Sequence, residues 1–141
     1  MSIVEHQFLS FKNVLSYTSV VDETAVNDFA KSVEDNLCVL GLQQSGKILL
    51  THKSPFTEFI IPVDKSFKSN EHFEFKSEFK LVNAVRARHY GNFENIYKAV
   101  RELMDYINKN SLTPVTSPYY SIQDTQSNIF DIYIGISENV L

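Results

Sequence analysis

The sequence contains the same amphipathic pattern twice, and the two copies lie seventy positions apart. Four apolar residues recur in each copy at steps of four, three and four: Val26, Ala30, Val33 and Leu37 in the first, and Ile96, Val100, Leu103 and Ile107 in the second. This spacing lines up one face of a helix. Asp22 and Asn92 precede the two copies and favour a helix start, and Gly41 suits a left-handed end to the first helix. We therefore predict one amphipathic helix in each half.

Strand-like segments surround each predicted helix in the same order. The corresponding segments are 13–15 and 83–85 before the helices, and then 47–52 and 118–123, and 59–63 and 132–136, after them. The last pair is offset by seventy-three residues, so the second hairpin loop is three residues longer. The chain is thus predicted to be an α+β protein made of two β-α-β-β units, about 3–64 and 72–137. Joined in one antiparallel sheet, these units would place both helices on one face and a groove on the other.

The composition of the chain limits the classes of protein to which it can belong. A length of 141 residues with 43% hydrophobic side chains fits a single domain over 1–141. No apolar run reaches the roughly 18 residues of a membrane span, and the N-terminus lacks signal-peptide features. We therefore predict a cytoplasmic protein without membrane insertion. The net charge of −4 argues against a nucleic-acid partner, and the single cysteine, Cys38, is predicted to be a buried structural thiol.

Motifs for catalysis or for metal and cofactor binding are absent from the sequence. There is no nucleophile elbow, no phosphate-binding glycine-rich loop and no zinc-protease helix motif. The four histidines are far apart, and none has a second ligand at helical or hairpin spacing. We therefore predict no catalytic residues, no metal and no cofactor, and we look for function in the shape of the groove.

The last predicted strand separates its side chains cleanly between two faces. Phe130, Ile132, Ile134 and Ile136 point one way, so Asp131 and Tyr133 face the groove. The equivalent strand of the first half places Glu58 on that face, while Tyr119, Tyr120 and Tyr17 are further candidates whose facing the sequence leaves open. A carboxylate among aromatic rings suits a cation with an apolar body. These six residues, Glu58, Asp131 and the four tyrosines, are the predicted ligand-binding set.

Three segments of the second half resemble a known family. They are 88–95 (RHYGNFEN), 118–124 (PYYSIQD) and 130–134 (FDIYI). Together they are similar to GyrI-like domains, the effector-binding domains of multidrug-responsive regulators, which share the SOUL-type duplicated fold. The resemblance implies a groove that binds apolar or cationic small molecules. Asp131 stands where the family more often has glutamate, and Gly135 stands where it often has proline.

A narrower resemblance is to short stand-alone proteins of this fold that are encoded beside type VII secretion and toxin genes of Gram-positive bacteria. It is carried by Lys12-Asn13-Val14-Leu15-Ser16 and by the Phe-rich segment 73–79. Because no helix-turn-helix domain is attached, we expect this chain not to be a complete drug-sensing regulator. Three functions stay open: a small-molecule-binding module, an accessory or chaperone-like protein that holds a secretion-system or toxin partner, and a small-molecule hydrolase.

Overall fold

The fold is described from a computed structural model that covers residues 2–124, 126 and 128–137. In chain order the elements are β1 (Ile3–Ser19), α1 (Val26–Asn36), β2 (Leu49–Lys53), β3 (Phe56–Pro62), β4 (Glu74–Tyr90), α2 (Tyr97–Lys109), β5 (Tyr119–Ile122) and β6 (Ile129–Gly135). Short 3₁₀ turns precede both helices. The predicted order of strand, helix, strand and strand is therefore confirmed in each half.

The strands form a closed antiparallel barrel in the order β1-β3-β2-β5-β6-β4. Exchanging the first three strands with the last three reproduces this order, so the halves are related by a pseudo-twofold axis through the β2–β5 and β1–β4 pairs. The registers agree residue by residue, because Leu15 pairs with Ile61 as Val85 pairs with Ile134. The offsets are the seventy and seventy-three positions that the sequence predicts.

The ends of the two helices repeat in backbone detail. The amide of Leu42 donates to the carbonyl of Leu37 at 3.0 Å, and the amide of Leu112 donates to that of Ile107 at the same distance. The residue before each donor has a left-handed backbone, with φ of 72° at Gly41 and 56° at Ser111. These bonds satisfy carbonyls at the helix ends. The predicted left-handed position of Gly41 is confirmed.

The main hydrophobic core lies between the barrel and the two helices. All eight stripe residues contribute to it, with Val100 only partly buried. The alternate face of the strands points into the barrel, where smaller apolar clusters form around Val14, Leu49, Ile60, Leu81 and Tyr133. The predicted α+β class with both helices on one face is confirmed. The closure by β1 and β4, each 17 residues long, is a finding beyond the predicted sheet.

Several local predictions were wrong. Cys38 is exposed, because the chain turns into a 3₁₀ segment after α1 and carries it away from the buried stripe. Phe8 on β1 is 58% exposed. The side chain of Asn92 caps no helical amide, whereas Asp22 accepts from the amide of Thr24 at 2.9 Å as predicted. Within the described ranges, no helix is long and apolar enough to cross a bilayer.

Candidate functional site

Two buried carboxylates occupy equivalent positions in the two halves. Glu58 on β3 lies opposite Thr18 of β1, and Asp131 on β6 lies opposite Arg88 of β4. Each residue is only 3% exposed. Burying an isolated carboxylate is costly, so each must be paired with a cation or hydrogen-bonded. The partners differ between the two halves.

Glu58 is held by three donors. Its side chain accepts from Lys53 Nζ at 2.9 Å, from Ser16 Oγ at 2.5 Å and from Lys76 Nζ at 3.1 Å. Burial by itself would raise the pKa of Glu58, but these donors outweigh it and lower the pKa to about 2. Glu58 is therefore a fixed anion inside the first half.

Asp131 is held by two guanidinium groups. Arg88 donates from Nε to Oδ1 at 2.7 Å and from Nη2 to Oδ2 at 3.1 Å, and Arg86 Nη1 lies 3.7 Å from Oδ2. This fork is the strong bidentate geometry of arginine and carboxylate, and it raises the pKa of Arg88. Burial, followed by the charge of Asp131, raises the pKa of the neighbouring Tyr133. One carboxylate is thus shared by two permanent cations.

The structure brings four of the six predicted ligand-binding residues onto one face of the barrel. Asp131 and Tyr133 alternate with the helix-side core, Tyr119 pairs with Tyr133, and Glu58 occupies the equivalent of Asp131. All four line an interior that is filled by apolar side chains of the protein itself. Their ligand-binding role stays a prediction.

The other two tyrosines lie on the helix side of the sheet. Tyr120 packs against Phe93 with ring centroids 5.1 Å apart, and Tyr17 packs between Phe29 and Phe73 at 5.6 and 5.3 Å. Neighbouring residues on a strand face opposite ways, so Tyr120 cannot share the face of Tyr119. Tyr17 and Tyr120 are therefore separated from the other four.

An open cleft of about 790 Å³ lies between the end of β4 and α2. Nine residues line it: Ser2, Arg86, Arg88, His89, Tyr90, Asn95, Lys98, Ala99 and Glu102. Arg86 and Arg88 therefore face both Asp131 and the cleft. Lys98 and Glu102 sit one helical turn apart on α2, and neither has an ion-pair partner within 4 Å in the described part of the chain. The cleft combines charged groups with the apolar surface of Ala99 and Tyr90.

The cleft is open because β4 is longer than its pairing with β1. That pairing starts at Ile3 and Ala87, so 88–90 pair with β6 alone among the described residues. In the first half, the equivalent stretch of β1 is covered by residues 69–73, which lie beside Ser16 and Thr18 and leave a cavity of about 360 Å³. Phe73 of this segment contacts Tyr17. The equivalent positions of the two halves therefore border cavities of different size, about 360 Å³ in the first half and about 790 Å³ in the second.

Comparison with solved structures supports the fold class. No family model matches the chain, and no curated protein matches it. The fold is similar to that of the EcmrR C-terminal domain. That comparison has a TM-score of 0.72 and 17% identity, and it covers 97% of this chain and 99% of that domain.

Two further structures share the fold. The EcmrR chain in a complex with DNA gives a TM-score of 0.74 at 16% identity, and a hydrolase from Listeria innocua gives 0.57 at 10% identity. The first comparison covers 96% of this chain but 57% of the EcmrR chain, and the second covers 96% and 90%. At these identities the likeness shows a common fold of the GyrI-like α+β class and does not extend to function.

None of the nine residues that line the cleft was predicted as a ligand contact. The sequence does show Arg86, Arg88 and His89 as its densest basic cluster on one strand, and this was the one available signal. Lys98 and Glu102 carried no signal, because charged residues on the polar face of an amphipathic helix are ordinary. Within the described residues, no group of three or more His, Cys, Asp or Glu side chains is arranged to hold a metal ion.

Proposed function

We propose that the protein is a small-molecule-binding module and that its ligand binds in the cleft between β4 and α2. The observation that carries this proposal is the difference between the two halves. The pseudo-twofold gives both halves the same backbone, yet residues 69–73 narrow the space beside β1 to about 360 Å³ in the first half while the second half leaves about 790 Å³ open. Packing of the shared fold does not require an open space of this size, since the first half folds with a cavity of less than half that volume.

The size and lining of the cleft also support a small-molecule ligand. Ligand pockets typically measure about 300 to 1,000 Å³ and combine apolar surface with a few convergent polar groups. Here Ala99 and Tyr90 supply apolar surface, while Arg86, Lys98 and Asn95 supply donors. The fold is similar to that of the EcmrR C-terminal domain, and an EcmrR complex with DNA shares it. A ligand-binding role is compatible with this shared fold, but the likeness does not identify a ligand.

Asp131 has a different role in this proposal from the direct cation contact that the sequence predicts. Both of its oxygens accept from Arg88, so a cationic ligand would have to displace a bidentate pair. We propose that Asp131 positions Arg88 beside the cleft. Direct binding of a cation by Asp131 and Tyr133 is the competing proposal, and the experiments below separate the two.

A hydrolase that used a buried carboxylate to activate water would need that carboxylate to take a proton, and neither Glu58 nor Asp131 suits this task. Glu58 has a pKa lowered to about 2 by its three donors, which makes it a weak base. Asp131 is bound by two guanidinium groups. The described site therefore favours binding over hydrolysis.

A screen with a blocking variant tests this proposal. A small-molecule library that includes apolar, cationic and anionic compounds is screened by thermal shift, because a ligand that binds only the folded state raises the melting temperature. Asn95→Trp introduces a bulky ring at an exposed cleft position, and Asn108→Trp introduces the same ring at an exposed position of α2 outside the cleft. We expect ligand shifts to disappear in Asn95→Trp and to persist in Asn108→Trp. Shifts that persist equally in both variants would contradict the cleft as the site.

Protein interaction is the second candidate function, and one observation favours it. Phe8 and Val82 lie on the paired strands β1 and β4 and are 58% and 57% exposed. Contiguous exposed apolar side chains mark interaction surfaces in soluble proteins, and these two residues lie on adjacent strands. A Phe8→Ser, Val82→Ser double variant that still binds cleft ligands but loses association with a protein partner would support this function as a separate surface.

A further inference from the structure

We infer that the cleft selects small organic anions, molecules that carry a carboxylate or phosphate on an apolar body. This inference rests on the proposed function and specifies the chemical class of its ligand. It is the opposite of the cationic preference that the sequence alone suggests.

The charges around the cleft do not balance. Asp131 is the buried anion that Arg88 and Arg86 share, so its single charge cannot neutralise both guanidinium groups. Lys98 adds a third permanent cation and Glu102 a second carboxylate. The site therefore carries a net charge of plus one, within a protein whose net charge is −4. An anion is the ligand that balances this local excess.

The geometry leaves donors available for such an anion. A guanidinium has five N–H donors. Arg88 uses two of them on Asp131 and also bonds Tyr90, and Arg86 bonds Tyr133. The side chains of Arg86 and Arg88 are 29% and 40% exposed and line the cleft, so their remaining donors are accessible. Arginine held in place by a buried carboxylate loses less conformational freedom when it binds a second anion. Asp131 thus orients the anion-binding groups in advance.

The first half serves as an internal control for this chemistry. Ser16 and Thr18 occupy the positions of Arg86 and Arg88. Neither is charged, and the segment 69–73 lies beside them. Glu58 is paired instead with Lys53 and Lys76, and neither lysine lines the smaller cavity of the first half, whereas both arginines line the larger cleft. A purely structural role for the arginines would not require them to border open space.

Three naphthalene derivatives with the same ring attachment provide matched probes: naphthoate, naphthamide and naphthylmethylamine. They carry a negative, a neutral and a positive group on one apolar body. Isothermal titration calorimetry at neutral pH and low salt measures each affinity. We expect naphthoate to bind most tightly and its advantage over naphthamide to shrink as salt rises, because salt screens exposed charges.

Single variants on α2 test whether the cleft charges cause this selectivity. Lys98→Gln removes a cation of the cleft, and Arg101→Gln removes an exposed cation from the same helix that does not line it. We expect naphthoate affinity to fall about two- to fivefold in Lys98→Gln, the effect of one exposed ion pair, and to stay unchanged in Arg101→Gln. Glu102→Gln removes a repulsive carboxylate and should strengthen naphthoate binding. Naphthamide affinity should be unchanged in Arg101→Gln and should change less than naphthoate affinity in the two cleft variants.

The outcomes separate this inference from the proposed function. Tightest binding of naphthoate with the expected response to Lys98→Gln supports both. If naphthamide or naphthylmethylamine binds at least as tightly as naphthoate, and this binding is lost in Asn95→Trp, the anion preference is overturned. The proposed binding function of the cleft is then still supported. If naphthylmethylamine binds most tightly and Asp131→Asn weakens its binding, direct binding of a cation by Asp131 and Tyr133 is supported. Absence of binding by all three probes, together with a library screen without hits, overturns both.

Discussion

At the scale of single residues, the ion pair between Arg88 and Asp131 is the feature that the sequence did not predict. From the sequence, strand alternation places Asp131 and Tyr133 on one face, and the structure has them there. Strand alternation does not identify the partner on the neighbouring strand, because that partner depends on the register between β4 and β6. The sequence therefore suggested an accessible Arg88 whose replacement would change stability by no more than about 0.5 kcal/mol. The Arg88 side chain is accessible, at 40% exposed, but it holds the buried Asp131, so we expect a larger effect on stability.

Replacing Arg88 with alanine should destabilise the protein by about 3 kcal/mol. This is the lower end of the range for breaking a buried ion pair, because Arg86 remains near the orphaned carboxylate. Urea unfolding of the wild type and the variant measures the difference. Arg101→Ala, at an exposed position, should stay within about 0.5 kcal/mol. Equal midpoints for Arg88→Ala and Arg101→Ala would show that the Asp131 pair contributes nothing to stability.

Glu58 should make stability depend on pH in a defined window. Its pKa is about 2 in the folded protein and 4.5 as its ordinary value, so between these pH values the unfolded chain binds more protons. The stabilisation is complete above pH 4.5, about 3 kcal/mol, and is lost as the pH falls toward 2. The Glu58→Gln variant lacks the ionisable carboxyl group and so lacks this pH-dependent stabilisation. We expect the difference in unfolding free energy between wild type and variant to shrink over that window, and a constant difference would contradict this account.

At the scale of elements, helix periodicity was the most reliable signal in the sequence. The two stripes face the core because their positions follow the helical repeat, which is a local property. The helix boundaries were predicted less well, since Asn92 precedes a 3₁₀ turn and its side chain bonds Glu94 and Asn128. Capping depends on the orientation of one side chain, which other partners can change.

Leu103 tests the stripe of α2. Its side chain is fully buried, so Leu103→Ala should cost about 2 to 5 kcal/mol through lost burial and a residual cavity. Lys109→Ala, an exposed substitution near the end of the same helix, provides the control for helix propensity. Chemical unfolding of both variants checks the prediction. A Leu103→Ala variant as stable as Lys109→Ala would mean that α2 does not pack through this stripe.

At the scale of the whole molecule, the duplication and its order of elements followed from the sequence, but the closure did not. β1 and β4 pair along most of their length, and β1 contains residues with positive φ at His6 and Asn13. Register shifts between Val4 and Leu9 mark the first irregularity. Bulges of this kind bend and twist strands. Pattern analysis treats a strand as straight, so it could not predict the barrel or the cleft at its end.

The asymmetry between the halves is the central feature of the account. The first half surrounds Glu58 with lysines and a serine and lies beside its own segment 69–73. The second half surrounds Asp131 with arginines that also border an open cleft. A duplicated fold can specialise one copy for stability and the other for binding, and the charges and the open space both assign binding to the second copy in this proposal.

Mapping the bound ligand on the protein tests this claim most directly. Isotope-labelled protein is titrated with naphthoate, or with a hit from the library, and the changes in backbone amide resonances are followed by NMR. The account predicts that the largest changes cluster at His89, Tyr90, Asn95 and Ala99, which line the cleft. Changes centred instead on Leu49, Tyr119 and Ser121 inside the barrel, with the cleft resonances unmoved, would contradict it.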